Sequence, residues 1–265
     1  MTRTLLAVAT ALAVLNPIAA QAHDTYLLPQ VFVFETADAP VALTSAEKFP
    51  NLEYGPKKAR VQRLEVRGET TSATLTIAAE TKTELQLTLR NGRGFQVAGV
   101  ALSPHDIQLT LDKVAEYFEE IGASADVRRA YDALPEPRAW NERYTKYAKT
   151  IICMAPCKGD GAASKPVGFA FEFVAQPHSG SARSFQLLRH GLPVARQPVA
   201  ITDDRGTRQL TTTNSEGVLQ IATPGTYLLS AVIIDPPEGP GGRFTSDFAT
   251  LTFALTKDGK FAGAE

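Results

Sequence analysis

At 265 residues and 44% apolar side chains, the chain is long enough for one large domain or two, each with a real core. Its 27 Lys and Arg nearly balance 28 Asp and Glu, and no Lys/Arg-rich run concentrates positive charge, which argues against nucleic acid as a partner.

Residues 1–22 have the build of a secretory signal. Arg3 supplies the positive start, residues 5–15 form an apolar run short of the roughly 20 residues a membrane helix needs, Pro17 follows, and Ala20-Gln21-Ala22 is a small-residue cleavage site. Cleavage there removes Arg3 and leaves 26 basic against 28 acidic side chains, a balance of −2. The expected location is the periplasm, where disulfides are permitted. No cysteine stands at the cleavage point to carry a lipid, and no later run is long enough to insert directly into a membrane.

From residue 23 to 109 the pattern predicts a first β-sandwich. Strands are expected over 26–34, interrupted by Pro29, and over 40–44, 61–67, 73–78 and 84–90. Leu75 and Ile77 oppose Thr74 and Thr76, and Leu85, Leu87 and Leu89 oppose Gln86 and Thr88, the alternation of a half-wet antiparallel sheet. Asn91-Gly92 signals a tight turn into 95–102.

The period then changes, and residues 110–152 are expected to form a helical connector. Val114, Tyr117, Phe118 and Ile121 share one helical face ahead of Gly122, and Ser124 can cap a second helix through Tyr131. Trp140, Tyr144, Tyr147 and Ile151 also recur at helical spacing, with Arg138, Arg143, Lys146 and Lys149 largely off the stripe. That spacing predicts a third helix clamped between two β layers, with Trp140 buried.

Residues 153–265 are expected to form a second sandwich. Val167, Phe169, Phe171 and Phe173 alternate over 167–174, and short strands with regular turns continue over 185–188, 199–202, 208–212, 218–221, 227–234 and 250–255. The fold class is therefore mainly β, with two immunoglobulin- or transthyretin-like sandwiches joined by a short α-helical segment.

Two constellations carry candidate chemistry. Cleavage after Ala22 makes His23 the first residue, and an α-amine of pKa about 7.7–8 beside an imidazole is a ready chelate for Cu(II), Ni(II), Co(II) or Zn(II). Asp24 is placed to add an oxygen ligand or to orient the ring. Two nitrogens are too few for a tight site, so His105, His178 or an acid must fold close; His190, in a turn, is assigned to solvent. The second constellation is Cys153, Met154 and Cys157. A local disulfide, stabilising by about 2 kcal/mol in the chain-entropy model, is the favoured reading; a soft Cu(I) site or a redox dithiol are its alternatives. Nucleophile elbows, H-E-x-x-H helices, P-loops and G-x-G-x-x-G turns are missing from the sequence, and the adjacent pairs Glu119-Glu120 and Asp203-Asp204 diverge, so no enzyme is expected.

The run GLPVARQPVAITDDRG followed by TTTNSEGVLQIATPGTYLLSA resembles the transthyretin-like, carboxypeptidase-regulatory type of sandwich, through Gly191, Pro193, Val199, Gly217, Pro224, Gly225 and Tyr227. Together with HDTYLLP, NERYTKYAKT, PVGFAFEFV and SDFATLTF, the mature chain resembles an exported domain-of-unknown-function family known as NikM-like periplasmic components of cobalt/nickel transport. The resemblance implies an N-terminal β domain, a helical insert, a C-terminal sandwich and a membrane metal transporter as partner. It lends no catalytic residues. Two functions follow as expectations: a soluble periplasmic protein that holds or delivers a transition-metal ion, or a non-enzymatic adaptor presenting its sandwiches to a protein such as an outer-membrane receptor.

Overall fold

The computed structural model describes residues 23–69, 72–239 and 242–264, so the signal segment expected over 1–22 lies outside the described residues. The first half runs β1 (Asp24–Pro29), β2 (Val33–Phe34), β3 (Asp38–Ala46), β4 (Val61–Gly68), β5 (Thr74–Glu80), β6 (Leu85–Arg90), β7 (Gly94–Leu102) and β8 (His105–Leu109). Helices α1 (Leu111–Glu120) and α2 (Ala125–Asp132) follow, then β9 (Trp140–Met154). The second half holds β10 (Phe171–Ala175), β11 (Arg183–Arg189), β12 (Leu192–Pro193), β13 (Pro198–Asp203), β14 (Arg208–Thr212), β15 (Val218–Ile221), β16 (Gly225–Asp235) and β17 (Phe244–Leu255).

These strands make three sheets in a stack. A four-stranded sheet in the order β1-β3-β6-β5 lies on one side, and β10-β11-β12 with β15 lies on the other. Between them a nine-stranded sheet runs β14-β13-β16-β17-β9-β7-β4, with β2 and β8 also paired to β9. The molecule is mainly β and sandwich-like, but strands from both sides of the helical insert share this middle sheet.

The middle sheet separates two apolar cores. Leu27, Val41, Leu43, Leu85, Leu87 and Leu89 of the first sheet meet Ala98, Val100, Ala148, Ile152 and Met154. On the opposite face Phe95, Val97, Ile151 and Cys153 meet Phe171, Phe173, Phe185 and Leu187, with Leu251 and Phe253 beside them. Successive residues of a strand point to opposite faces, so β7 is buried at every one of its nine positions.

The third helix expected at Trp140 is corrected to a strand. β9 runs 15 residues, antiparallel to β7 and β8 and parallel to β17 and β2. Over 148–154 both faces are covered, so that half of the strand shows no polar/apolar alternation for the sequence to reveal. The apparent helical stripe divides by parity: Trp140 and Tyr144 lie on one face, Tyr147 and Ile151 on the other. The first two helices form as expected. Ser124 Oγ accepts the Val127 N–H at 3.3 Å, and Gly122 takes φ +61° at the end of α1. Val114, Tyr117, Phe118, Val127 and Tyr131 close a small third core over Trp140 and Phe244, whose rings stack at 3.9 Å. Residues 167–170, expected in a strand, instead form a loop before β10. Among the described residues no helix is long and apolar enough to cross a membrane.

One polar seam ties the first sheet to the middle one. Lys146 Nζ donates to the His23 carbonyl at 2.8 Å, Thr250 Oγ1 to Thr25 at 2.7 Å and Thr252 Oγ1 to Leu27 at 2.5 Å. Alternate carbonyls along the free edge of β1 are thus satisfied by side chains rather than by another strand, which keeps that edge from pairing elsewhere.

Candidate functional site at the start of the first strand

His23 stands just before β1, half-buried, with its ring edge-on to Tyr54 at a centroid distance of 5.1 Å. Its backbone is pinned by Lys146, whose ammonium also lies 5.3 Å from the Tyr144 ring and 5.4 Å from the Phe248 ring. Burial, reinforced by the Lys146 charge, pushes the imidazole pKa down, while Glu53, Glu120 and Glu47 pull it up. Burial likewise brings Lys146 down to about 8.

The imidazole borders a cleft of about 480 Å³ between the β layers and the end of α1, rimmed by Asp24, Glu47, Glu119, Glu120 and Arg208. Acids from three separate stretches of chain therefore line the cleft that His23 borders. Asp24 is already engaged, its Oδ2 accepting from Arg208 at 3.1 Å and from Ser230 at 3.2 Å.

Neither of the other histidines expected to join the site lines this cleft. His105 opens β8, exposed, against the Tyr144 ring at 5.5 Å and beside Arg60 and Asp106. His178 sits in the loop between β10 and β11, close enough to Asp258 for the two to interact. Both were drawn toward His23 only because two nitrogens are too few for a metal, and sequence separation gave no measure of distance. Among the described residues no group of three or more His, Cys, Asp or Glu side chains is placed to hold a metal ion.

A family model described as a domain of unknown function, DUF4198, matches residues 20–235. The chain belongs to the DUF4198 family. No curated relative matches it. Among solved structures it is similar to the D0-D1 domain of Intimin at 14% identity, over 86% of this chain and 96% of that one, with a TM-score of 0.21. A score that low carries no argument about fold.

In this DUF4198 chain the cysteines are bonded to each other, Cys153 at the end of β9 to Cys157 in the following loop, with Cα atoms 5.8 Å apart. That removes both thiolates from the soft-metal alternative. Met154 is fully buried on the opposite face of β9, its sulfur packed over Gly92. The three sulfurs therefore share no site.

Sequence reasoning missed Lys146, Tyr54 and the far-side acids of the His23 cleft. Lys146 is the instructive one. Placed on a helix it falls away from the apolar stripe into solvent, whereas on a strand it shares a face with Ala148 and Thr150 and reaches the edge of β1.

Proposed function

We propose that this DUF4198 chain is a non-enzymatic exported module whose ligand-facing site is the His23 cleft, and that its ligand is a divalent transition-metal ion. The observation that carries the reading is the acidic wall of the His23 cleft, where Glu47 and Glu120, with Glu53 nearby, act on the imidazole's charge. The donors on offer are the His23 imidazole and the carboxylates of Glu47 and Glu120 on the cleft wall, which ion binding would have to draw together, with the α-amine added when processing makes His23 the first residue. A borderline nitrogen with hard oxygens suits Ni(II), Co(II), Zn(II) or Cu(II) better than a thiol-seeking ion. His105, His178 and the cysteine pair have no part in it. The resemblance to NikM-like proteins supports nickel or cobalt as that ion.

The test is a melting-temperature titration with each of the four ions, on protein whose first residue is verified by mass spectrometry as His23. Binding to the folded state alone stabilises by about 2.7 kcal/mol when free ion is 100 times Kd. The expected result is a rise with at least one ion, lost in His23→Ala and retained in His105→Ala and His178→Ala. An unchanged melting temperature with every ion removes the metal reading. The second reading, a protein-binding adaptor, draws on β14, an edge strand of the middle sheet whose Leu210 is 71% exposed.

A further inference from the structure

Lys149 of β9 and Glu172 of β10 face one another across the second core, each only 2% exposed, with Nζ and Oε2 2.6 Å apart. Lys149 also donates to the Phe173 carbonyl at 2.6 Å. Glu172 is held by the loop before it. Oε1 accepts the N–H groups of Gly168 at 2.8 Å and Phe169 at 3.1 Å, and Oε2 accepts that of Val167 at 3.0 Å. The Phe169 ring lies 5.5 Å from that of Tyr147, and Gly99 leaves the space it fills, since a Cβ there would come within 2.8 Å of the ring. Water is excluded from the pair by this aromatic cover.

Three physical arguments point the same way. Two charges taken out of water carry a desolvation cost that a neutral product would not. Reacting groups held in contact behave as though present at about 10⁵–10⁸ M when well oriented. Backbone N–H groups aimed at a carboxyl oxygen are also placed to stabilise the anion formed when its carbon is attacked. Burial supports this further by favouring the neutral, nucleophilic amine of Lys149.

We propose that Lys149 and Glu172 condense after folding into an intramolecular amide that links the middle sheet covalently to the third. The proton of the ammonium passes to Oε2 along their hydrogen bond, leaving a neutral amine and a carboxylic acid. The Nζ lone pair attacks Cδ, and the charge that develops on Oε1 is held by Gly168 and Phe169. A second proton moves from nitrogen to the Oε2 hydroxyl, which leaves as water while the carbonyl re-forms. One ammonium and one carboxylate become one amide and one water, with no change in oxidation state and no co-reactant.

The test is the intact mass of the purified wild-type chain, reduced so that the Cys153–Cys157 bond does not contribute, with its first residue determined independently. The expected mass is lower than that of the sequence by one water. Trypsin then spares Lys149, and residues 147–158 are recovered joined to residues 159–183. Lys149→Met restores the full mass of its own sequence. A wild-type mass equal to that of the sequence, with 150–158 recovered as a free peptide, overturns the proposal. That reading needs no variant to fold.

Discussion

Lys146 shows how one side chain registers its surroundings. Its pKa of about 8 lies below the ordinary 10.5 because burial disfavours the charged form. Between those two values the unfolded chain binds more protons than the folded one, so this group's contribution to stability rises with pH through the window and is constant below it. Urea unfolding from pH 8 to pH 10.5 should therefore show the wild type gaining on Lys146→Met; a constant difference would contradict the burial. Glu142 makes the complementary case for acceptors. Fully buried, it takes hydrogen bonds from Tyr117 Oη at 2.6 Å, from Trp140 Nε1 at 2.6 Å and from Ser246 Oγ. Glu142→Leu strands three buried donors and should cost about 3 kcal/mol or more, at roughly 1–3 kcal/mol each, whereas Glu142→Gln keeps an acceptor and should cost much less. Denaturant unfolding of both variants measures the gap.

At the scale of the element, β9 is where composition and periodicity mislead. Tyr144 and Tyr147 are good strand residues, as are Thr145, Thr150, Ile151 and Ile152, but over 148–154 burial of both faces removes the alternation by which strands are recognised. The half-wet strands β5 and β6 were legible for the opposite reason, since water on one face selects Thr and Gln there. The helices were legible through local chemistry, a Ser cap and a Gly terminator. Gly99 on β7 gives a sharp test of the two-faced packing. Gly99→Val should collide with Phe169 and destabilise by about 1–3 kcal/mol, in line with other overpacked cores. For the bonded pair ending β9, replacing Cys153 and Cys157 together by Ala should lower stability by about 2 kcal/mol, the chain-entropy value for so short a loop. A loss much smaller than this would mean the unfolded chain gains little freedom when the bond is removed.

At the scale of the whole molecule, the middle sheet sets both cooperativity and the location of the site. β7 and β9 contribute to both large cores, so their amides should exchange with solvent at the rate of global unfolding. Those of α1 and α2, which rest on the smaller Trp140–Phe244 core, should open sooner. Equal protection everywhere in a hydrogen-exchange experiment would show one undivided cooperative unit instead. His23 owes its position to the same arrangement, for the first sheet is stitched onto the middle one at Lys146, Thr250 and Thr252.

The amino-acid order by itself determined that the chain is mainly β and where its two helices start and stop. Each follows from neighbours within a few residues: turn glycines, caps, alternation. Only the tertiary structure decided that β9 is a strand, that Lys149 meets Glu172, and that Asp24, Glu47 and Glu120 line a cleft beside His23. Those outcomes depend on which sheets stack on which face, and that is fixed by burying apolar surface between strands far apart in the chain.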